Sequence, residues 1–299
     1  MGLFKKKKTQ QQEIEKPKKK KKERGPQYTN SLVNTPVLNY QEYYFSKRET
    51  IIYNTLVFVA GAVIAYIMYG GIGSKEDGSP SLLTHILNIV ICGGIGVLAV
   101  KFFIPVIREK LRSNRRNTLR AQFMDLLDSL AASVASGNNA VKSFEAAQND
   151  LAMQYGEESF IYDELNLLLE AQRNFIDIDL MLTDFGKRSG IKEIESFARV
   201  YALSYRKGGD FGKIIRDSYD ILYNKINTEM EIETKVASTK NELNIMLAMP
   251  VLLVGMMKLS GGDFAANLRS ASGVLGTTIG LAIVAGAYFI GRKITDIAV

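Results

Sequence analysis

The apolar and polar positions of this chain separate into long uncharged blocks and charged stretches with helical spacing. Ile51–Gly73 contains no acid or base, and at 1.5 Å per residue it reaches about 34 Å, enough for a hydrocarbon core of roughly 30 Å. Leu82–Ile107 is interrupted only by His85 and Lys101, and Lys101 stands where its head group can snorkel to the interface. GSKEDGSP, between these blocks, has the composition of a turn. Ser270–Gly291 is uncharged and rich in Gly and Ala, which let helices pack closely. Leu243–Met257 is short for a span and reaches bilayer length only when extended through Lys258 to Gly261. Its alternative is a buried soluble helix. Parity favours the span, because without it Arg292 and Lys293 would lie across the membrane from the other basic segments. The pattern predicts two transmembrane hairpins, with spans at about 51–73 and 82–107, then at about 243–261 and 270–291.

Residues 108–242 contain no proline, and their apolar positions recur at helical spacing. Phe123, Leu126, Leu127, Leu130 and Val134 share one face of a first helix, which stops at Ser136-Gly137-Asn138-Asn139. Ala140, Val141, Phe144 and Ala147 open a second helix. A third runs from about Glu158 through Leu169, and a fourth holds Ile178, Leu182 and Phe185 before Ser189-Gly190. A fifth presents Ile191, Ile194, Phe197 and Tyr201 and ends at Lys207-Gly208-Gly209. Asp210 is a suitable N-cap for the last, which begins Phe211, Ile214, Ile215 and runs unbroken into the third span. VASGNNAVKSF and YRKGGDFGKII follow one plan, a helix, a Gly turn and a second helix, so two hairpins packed face to face would bury both apolar stripes. The fold class predicted is all-α: a polytopic membrane protein with four transmembrane helices and an antiparallel helical bundle between the second and third spans.

Charge then sets the expected orientation. Of 299 residues, 38 are Lys or Arg and 31 Asp or Glu. Basic residues gather in Lys5–Lys8, in Lys18–Lys22, beside the first span and in REKLRSNRRNTLR after the second; the hairpin tips hold few. By the positive-inside rule the two termini and residues 108–242 face the cytoplasm, in a multi-pass protein of the plasma (inner) membrane. Residues 1–50 read as a basic tail, largely disordered, without a signal-peptide pattern and held by anionic membrane lipid. Orientation already explains the lysines, so no nucleic-acid partner is expected.

Little catalytic chemistry is available. One Cys excludes a disulfide framework, and one His excludes a two-His metal centre. GGDFGK is one residue short of a phosphate-binding loop and has Ile214 where Ser or Thr would hold magnesium. Glu229, Glu231 and Glu233 alternate, so on a helix they diverge onto a solvated face. No catalytic residue, cofactor or metal is expected, and the chain reads as a non-enzyme.

FMDLLDSLAASVASGNNAVKSFEAA, LMLTDFGKRSGIKEIESFARV and the stretch from RKGGDFGKII to MLAMP carry a family resemblance. Over Phe123–Pro250 the chain resembles the F domain of type II secretion and type IV pilus systems, especially the TadB-like platform proteins of Tad pili. The Arg-Ser-Gly before the fifth helix and the Lys-Gly-Gly-Asp turn are its most specific parts, and two spans, a helical domain and two more spans match the Tad-type layout. The resemblance implies a membrane platform that anchors a hexameric secretion ATPase, handles pilin subunits, and pairs with a second platform subunit or with itself.

Exposure and charge nominate Asn138 and Asn139 at one turn, and Arg206, Lys207 and Asp210 at the other, as ATPase contacts. An equally weighted alternative makes them caps and solubilising charges. Pro105 and Pro250, inside the second and third spans, are the candidate hinges. The competing function is a small membrane transporter or channel, for which the spans offer only Lys101 and two prolines.

Overall fold

The structure, a computed structural model, describes residues 27–32, 34–72, 81–207 and 211–295. Two short strands, β1 (Tyr28–Asn30) and β2 (Pro36–Leu38), pair antiparallel with Thr29 opposite Val37. Nine helices follow among the described residues: α1 (Lys47–Tyr69), α2 (Leu82–Ala135), α3 (Ala140–Tyr155), α4 (Phe160–Arg173), α5 (Ile178–Ser189), α6 (Lys192–Lys207), α7 (Phe211–Ser260), α8 (Gly262–Arg269) and α9 (Ala271–Thr295). The all-α class predicted from the periodicity is what the chain adopts.

Four helices are long and apolar enough to cross a membrane: α1, α2, and the parts Asn241–Ser260 of α7 and Ser272–Gly291 of α9. Most of their side chains stay bare within the chain. Leu82 is 79% and Phe289 78% exposed, which a large apolar residue tolerates in lipid but rarely in water. The first of them starts at Lys47, earlier than the uncharged block, because Glu49 turns back to accept from the Ser46 N–H at 2.7 Å and fixes the first turn there. Small residues bring α1 against α2: a Cβ on Gly61 would lie 2.8 Å from that of Ala99, and one on Gly96 would lie 2.7 Å from the Phe58 ring.

The loop expected between the third and fourth spans contains a helix of its own, α8. Gly261, at φ 68, breaks α7 in a conformation that disfavours side chains, and the chain restarts at once with Asp263 in the first turn.

α2 and α7 each leave the membrane-length region without interruption and enter the bundle, so the second span and first bundle helix are one rod of 54 residues. The third span and last bundle helix are another, of 50 residues. The buried faces are those the periodicity predicts: Phe123, Leu126, Leu127 and Leu130 from α2, Ile194, Phe197 and Tyr201 from α6, Ile215 and Leu222 from α7. The hairpins α2/α3 and α6/α7 meet through aromatic rings. Phe144 lies 6.4 Å from Tyr201 and 6.2 Å from Phe211, and Phe123 lies 5.5 Å from Phe197. α4 and α5 close the remaining side.

The expected tail of residues 1–50 has a structured end. Residues 27–32 and 34–46 form the β1–β2 hairpin and a strap that crosses the bundle, and Tyr40 is a core residue at 1% exposure. The segment has neither a helical period nor an uncharged block of bilayer length, and its hold on the bundle is made by distant contacts: Tyr40 with Val37 and Leu38 on the core, and hydrogen bonds to the backbone of α5. The lysine runs 5–8 and 18–22 lie outside the described residues.

Candidate functional site

The bundle is fastened at two polar junctions, each built on the helices that reach the membrane or on the strap before α1. At the first, Arg188 near the end of α5 donates from Nη1 and Nη2 to the carboxylate of Glu164 in α4, and from Nε to Asp184 at 2.7 Å. Nη1 also donates to the Leu38 carbonyl at 3.1 Å, and the Tyr40 hydroxyl donates to Glu164 Oε1 at 3.0 Å. A planar guanidinium suits this because it offers five donors in a fixed fork. Burial opposes the arginine's charge, but the hydrogen bonds and charges of Glu164 and Asp184 hold its pKa above the usual range. Burial and the neighbouring Glu164 carboxylate push the Tyr40 hydroxyl well above its ordinary value.

Backbone contacts complete the strap. The Tyr40 N–H donates to the Arg188 carbonyl at 3.1 Å, Gln41 Nε2 donates to the Lys187 carbonyl, and Arg112 of α2 donates to the Gln41 carbonyl at 3.1 Å. Gly190 ends α5 at φ 63 against Gln41, where a Cβ would approach the glutamine side chain to 2.7 Å.

The second junction joins α2, α6 and α7 in a groove of about 250 Å³ lined by Ser113, Arg116, Arg120, Glu193, Lys225 and Glu229. Arg120 bridges Glu193 and Glu229, and Lys225 returns to Glu193. Burial alone would raise the Glu193 carboxyl, but the Lys225 hydrogen bond and the Arg120 charge hold it below the usual carboxylate range. Glu229 thus belongs to an ion-pair network, which corrects the solvated face expected for it: the packing of α7 on α2 turns it toward Arg120. Arg120 and Glu193 lie 73 residues apart, and Arg120 and Glu229 109 apart, so no local spacing announced the cluster.

Neither junction has the layout of an acid–base or nucleophilic centre. Glu164 is saturated by Arg188 and Tyr40, and Glu193 is kept ionised by two cations. Among the described residues, no group of three or more His, Cys, Asp or Glu is placed to hold a metal ion.

The residues nominated from sequence lie elsewhere. Asn139 is the N-cap of α3, its side chain accepting from the Lys142 N–H at 3.0 Å, and Asn138 Nδ2 donates to Ser133 Oγ at 3.0 Å. Both are exposed at the end of the α2/α3 hairpin. Arg206 and Lys207 close α6, but their side chains, and all of Asp210, lie outside the described residues. Pro105 and Pro250 fall inside α2 and α7, which continue through both; each removes one backbone donor from its helix. Sequence reasoning singled out Arg188 only as part of an Arg-Ser-Gly signature, without its role. Tyr40, Glu164 and Arg120 carried no readable signal.

Comparison with known proteins places this bundle. Residues 126–258 match the family model described as type II secretion system (T2SS), protein F. The match begins within α2, takes in α3 to α6 and ends near the C-terminus of α7. No curated protein and no solved structure matches the chain.

Proposed function

We propose that this chain, which carries a type II secretion system protein F domain between two pairs of membrane-length helices, is a non-enzymatic platform of a secretion or Tad-type pilus machine. It sits in the inner membrane as a multi-pass protein with both termini and the bundle in the cytoplasm. There it couples a hexameric secretion ATPase to the insertion or extraction of pilin subunits, beside a second platform subunit or another copy of itself.

One observation carries the reading: α2 and α7 are each a single rod from membrane span to bundle. A torque applied to the bundle therefore reaches the bilayer without crossing a loop. The strap and the Arg120 network add resistance, because they tie residues preceding α1 and residues of α6 to those rods. A transporter would instead need charges or broken helices along a path through the spans.

Co-purification of the full chain from membranes tests the proposal. Capture of a nucleotide-hydrolysing hexamer supports it, and loss of that capture when residues 136–139 are replaced would locate the contact. Solute flux in liposomes without any captured ATPase would favour the transporter. Labelling of single cysteines at residues 120–240 from the exterior would exclude a cytoplasmic motor.

A further inference from the structure

At the end of the membrane helices farthest from the bundle, α1, α2, α7 and α8 enclose an open cleft of about 800 Å³, within the roughly 300–1,000 Å³ of typical ligand sites. Its length is apolar, walled by Ile67, Ile89, Leu252 and Met256. Its mouth is cationic. Lys258 Nζ donates to the carbonyls of Met68 at 2.8 Å and Gly70 at 3.1 Å, and thereby caps the C-terminus of α1. Arg269, the last residue of α8, lies against Gly71, whose added Cβ would come 3.1 Å from Arg269 Nε.

Both cations gather at the C-terminal end of α1, Lys258 on the Gly70 carbonyl and Arg269 against the adjacent Gly71. Among the described residues neither has an acidic partner, and Arg269 Nε is buried without a hydrogen bond; the loop 73–80 lies outside the described residues. Two like charges held together at the mouth of an apolar cleft call for an anion joined to an apolar chain.

We infer that this cleft binds an anionic phospholipid of the leaflet opposite the bundle, its phosphate between Lys258 and Arg269 and an acyl chain along Ile67 and Leu252. A membrane lipid is the occupant the surroundings supply, since the cleft opens between helices whose other faces are themselves lipid-exposed. The site uses no residue of the basic tail, and it does not depend on any ATPase partner.

The test uses the full chain reconstituted in vesicles of equal phosphatidylglycerol and phosphatidylcholine, extracted in mild detergent and weighed by native mass spectrometry. Wild-type protein is expected to retain phosphatidylglycerol in preference to phosphatidylcholine. Arg269→Gln should lower that retention about fivefold, the factor expected for one basic group at a membrane surface. Met256→Trp, which fills the cleft and leaves both cations in place, should lower it as well. Lys142→Gln removes one exposed charge from the bundle, away from the membrane helices, and should change nothing. Equal retention of the two lipids overturns the site, and so does wild-type retention in both Arg269→Gln and Met256→Trp. Displacement of the bound lipid by inorganic phosphate would assign the cations to a free anion and also overturn it. Cross-linking of Met256→Cys to a second copy of the chain in place of lipid retention would do the same.

Discussion

The guanidinium of Arg188 grips both carboxylate oxygens of Glu164, at 2.8 and 2.7 Å, with each side chain only 7% exposed. The pair sits where the strap, α4 and α5 converge, so it fastens the segment before the first membrane helix to the bundle. Its weight is felt when Glu164 is lost, because the buried guanidinium then keeps only the carboxylate of Asp184, at Nε, and loses the one at both terminal nitrogens.

Glu164→Gln should therefore destabilise the bundle, by less than the about 3–5 kcal/mol of a wholly unpaired buried charge because Asp184 remains. The double variant Glu164→Leu with Arg188→Met should recover much of that loss. Thermal unfolding of the detergent-solubilised chain, monitored by circular dichroism, checks both. A double variant no more stable than Glu164→Gln would show that the pair does more than neutralise itself.

Tyr40 separates the strap's packing from its hydrogen bonding. Tyr40→Phe removes the bond to Glu164 and should cost about 1.5–3 kcal/mol. Tyr40→Ala also opens a cavity between Phe160 and the core, of a kind that costs about 3–5 kcal/mol. Limited proteolysis reads the difference: residues 39–46 should become readily cleaved in the alanine variant and remain protected in the phenylalanine one.

Asn139 has a structural duty apart from any partner. Asn139→Ala removes the cap of α3 and should cost about 1 kcal/mol, while Asn139→Ser should restore it. Loss of ATPase capture in both variants would mark the asparagine as a contact. Loss in the alanine variant alone would mark it as a cap.

The junction of α2, α6 and α7 should respond to acid. The Glu193 carboxyl is held below its ordinary value, so its stabilising effect is fully present above the unfolded carboxylate pKa of about 4.3 and is lost as pH falls through the lower folded value. Urea midpoints measured from pH 6 down to pH 3 should fall more steeply in wild type than in Glu193→Gln. Parallel curves would remove Glu193 from the acid response.

Pro250 tests transmission of force through α7. Pro250→Ala restores a donor to the backbone of that rod, so membrane insertion should be normal, judged by the amount in the membrane fraction. Pilus assembly or secretion should be impaired if the proline is a hinge of the working platform. Normal assembly in that variant would argue against the lever.

Much of this architecture was legible in the sequence, for reasons particular to each element. Uncharged runs near bilayer length mark the spans, since few other environments accept Leu82 or Phe289 bare on a helix surface. Gly190 ends α5 in the left-handed region, where a side chain would be strained. The stripe of Phe123, Leu126, Leu127 and Leu130 faces the core because the helical period leaves it no other shared side. These are local properties, written in residue order.

Only the tertiary structure decided the rest. Tyr40 meets Glu164 across 124 residues, and Arg120 meets Glu229 across 109. No periodicity spans such distances, and neither charge nor hydropathy indicates which of the many carboxylates will find an arginine. Lys258 and Arg269 read along the chain as ordinary flanking charges, and the folded helices set them together at the mouth of a cleft. Sequence determined which faces must leave water, because that cost is local. The packing of those faces determined which polar groups had to satisfy one another, because that cost arises only once distant helices are brought together.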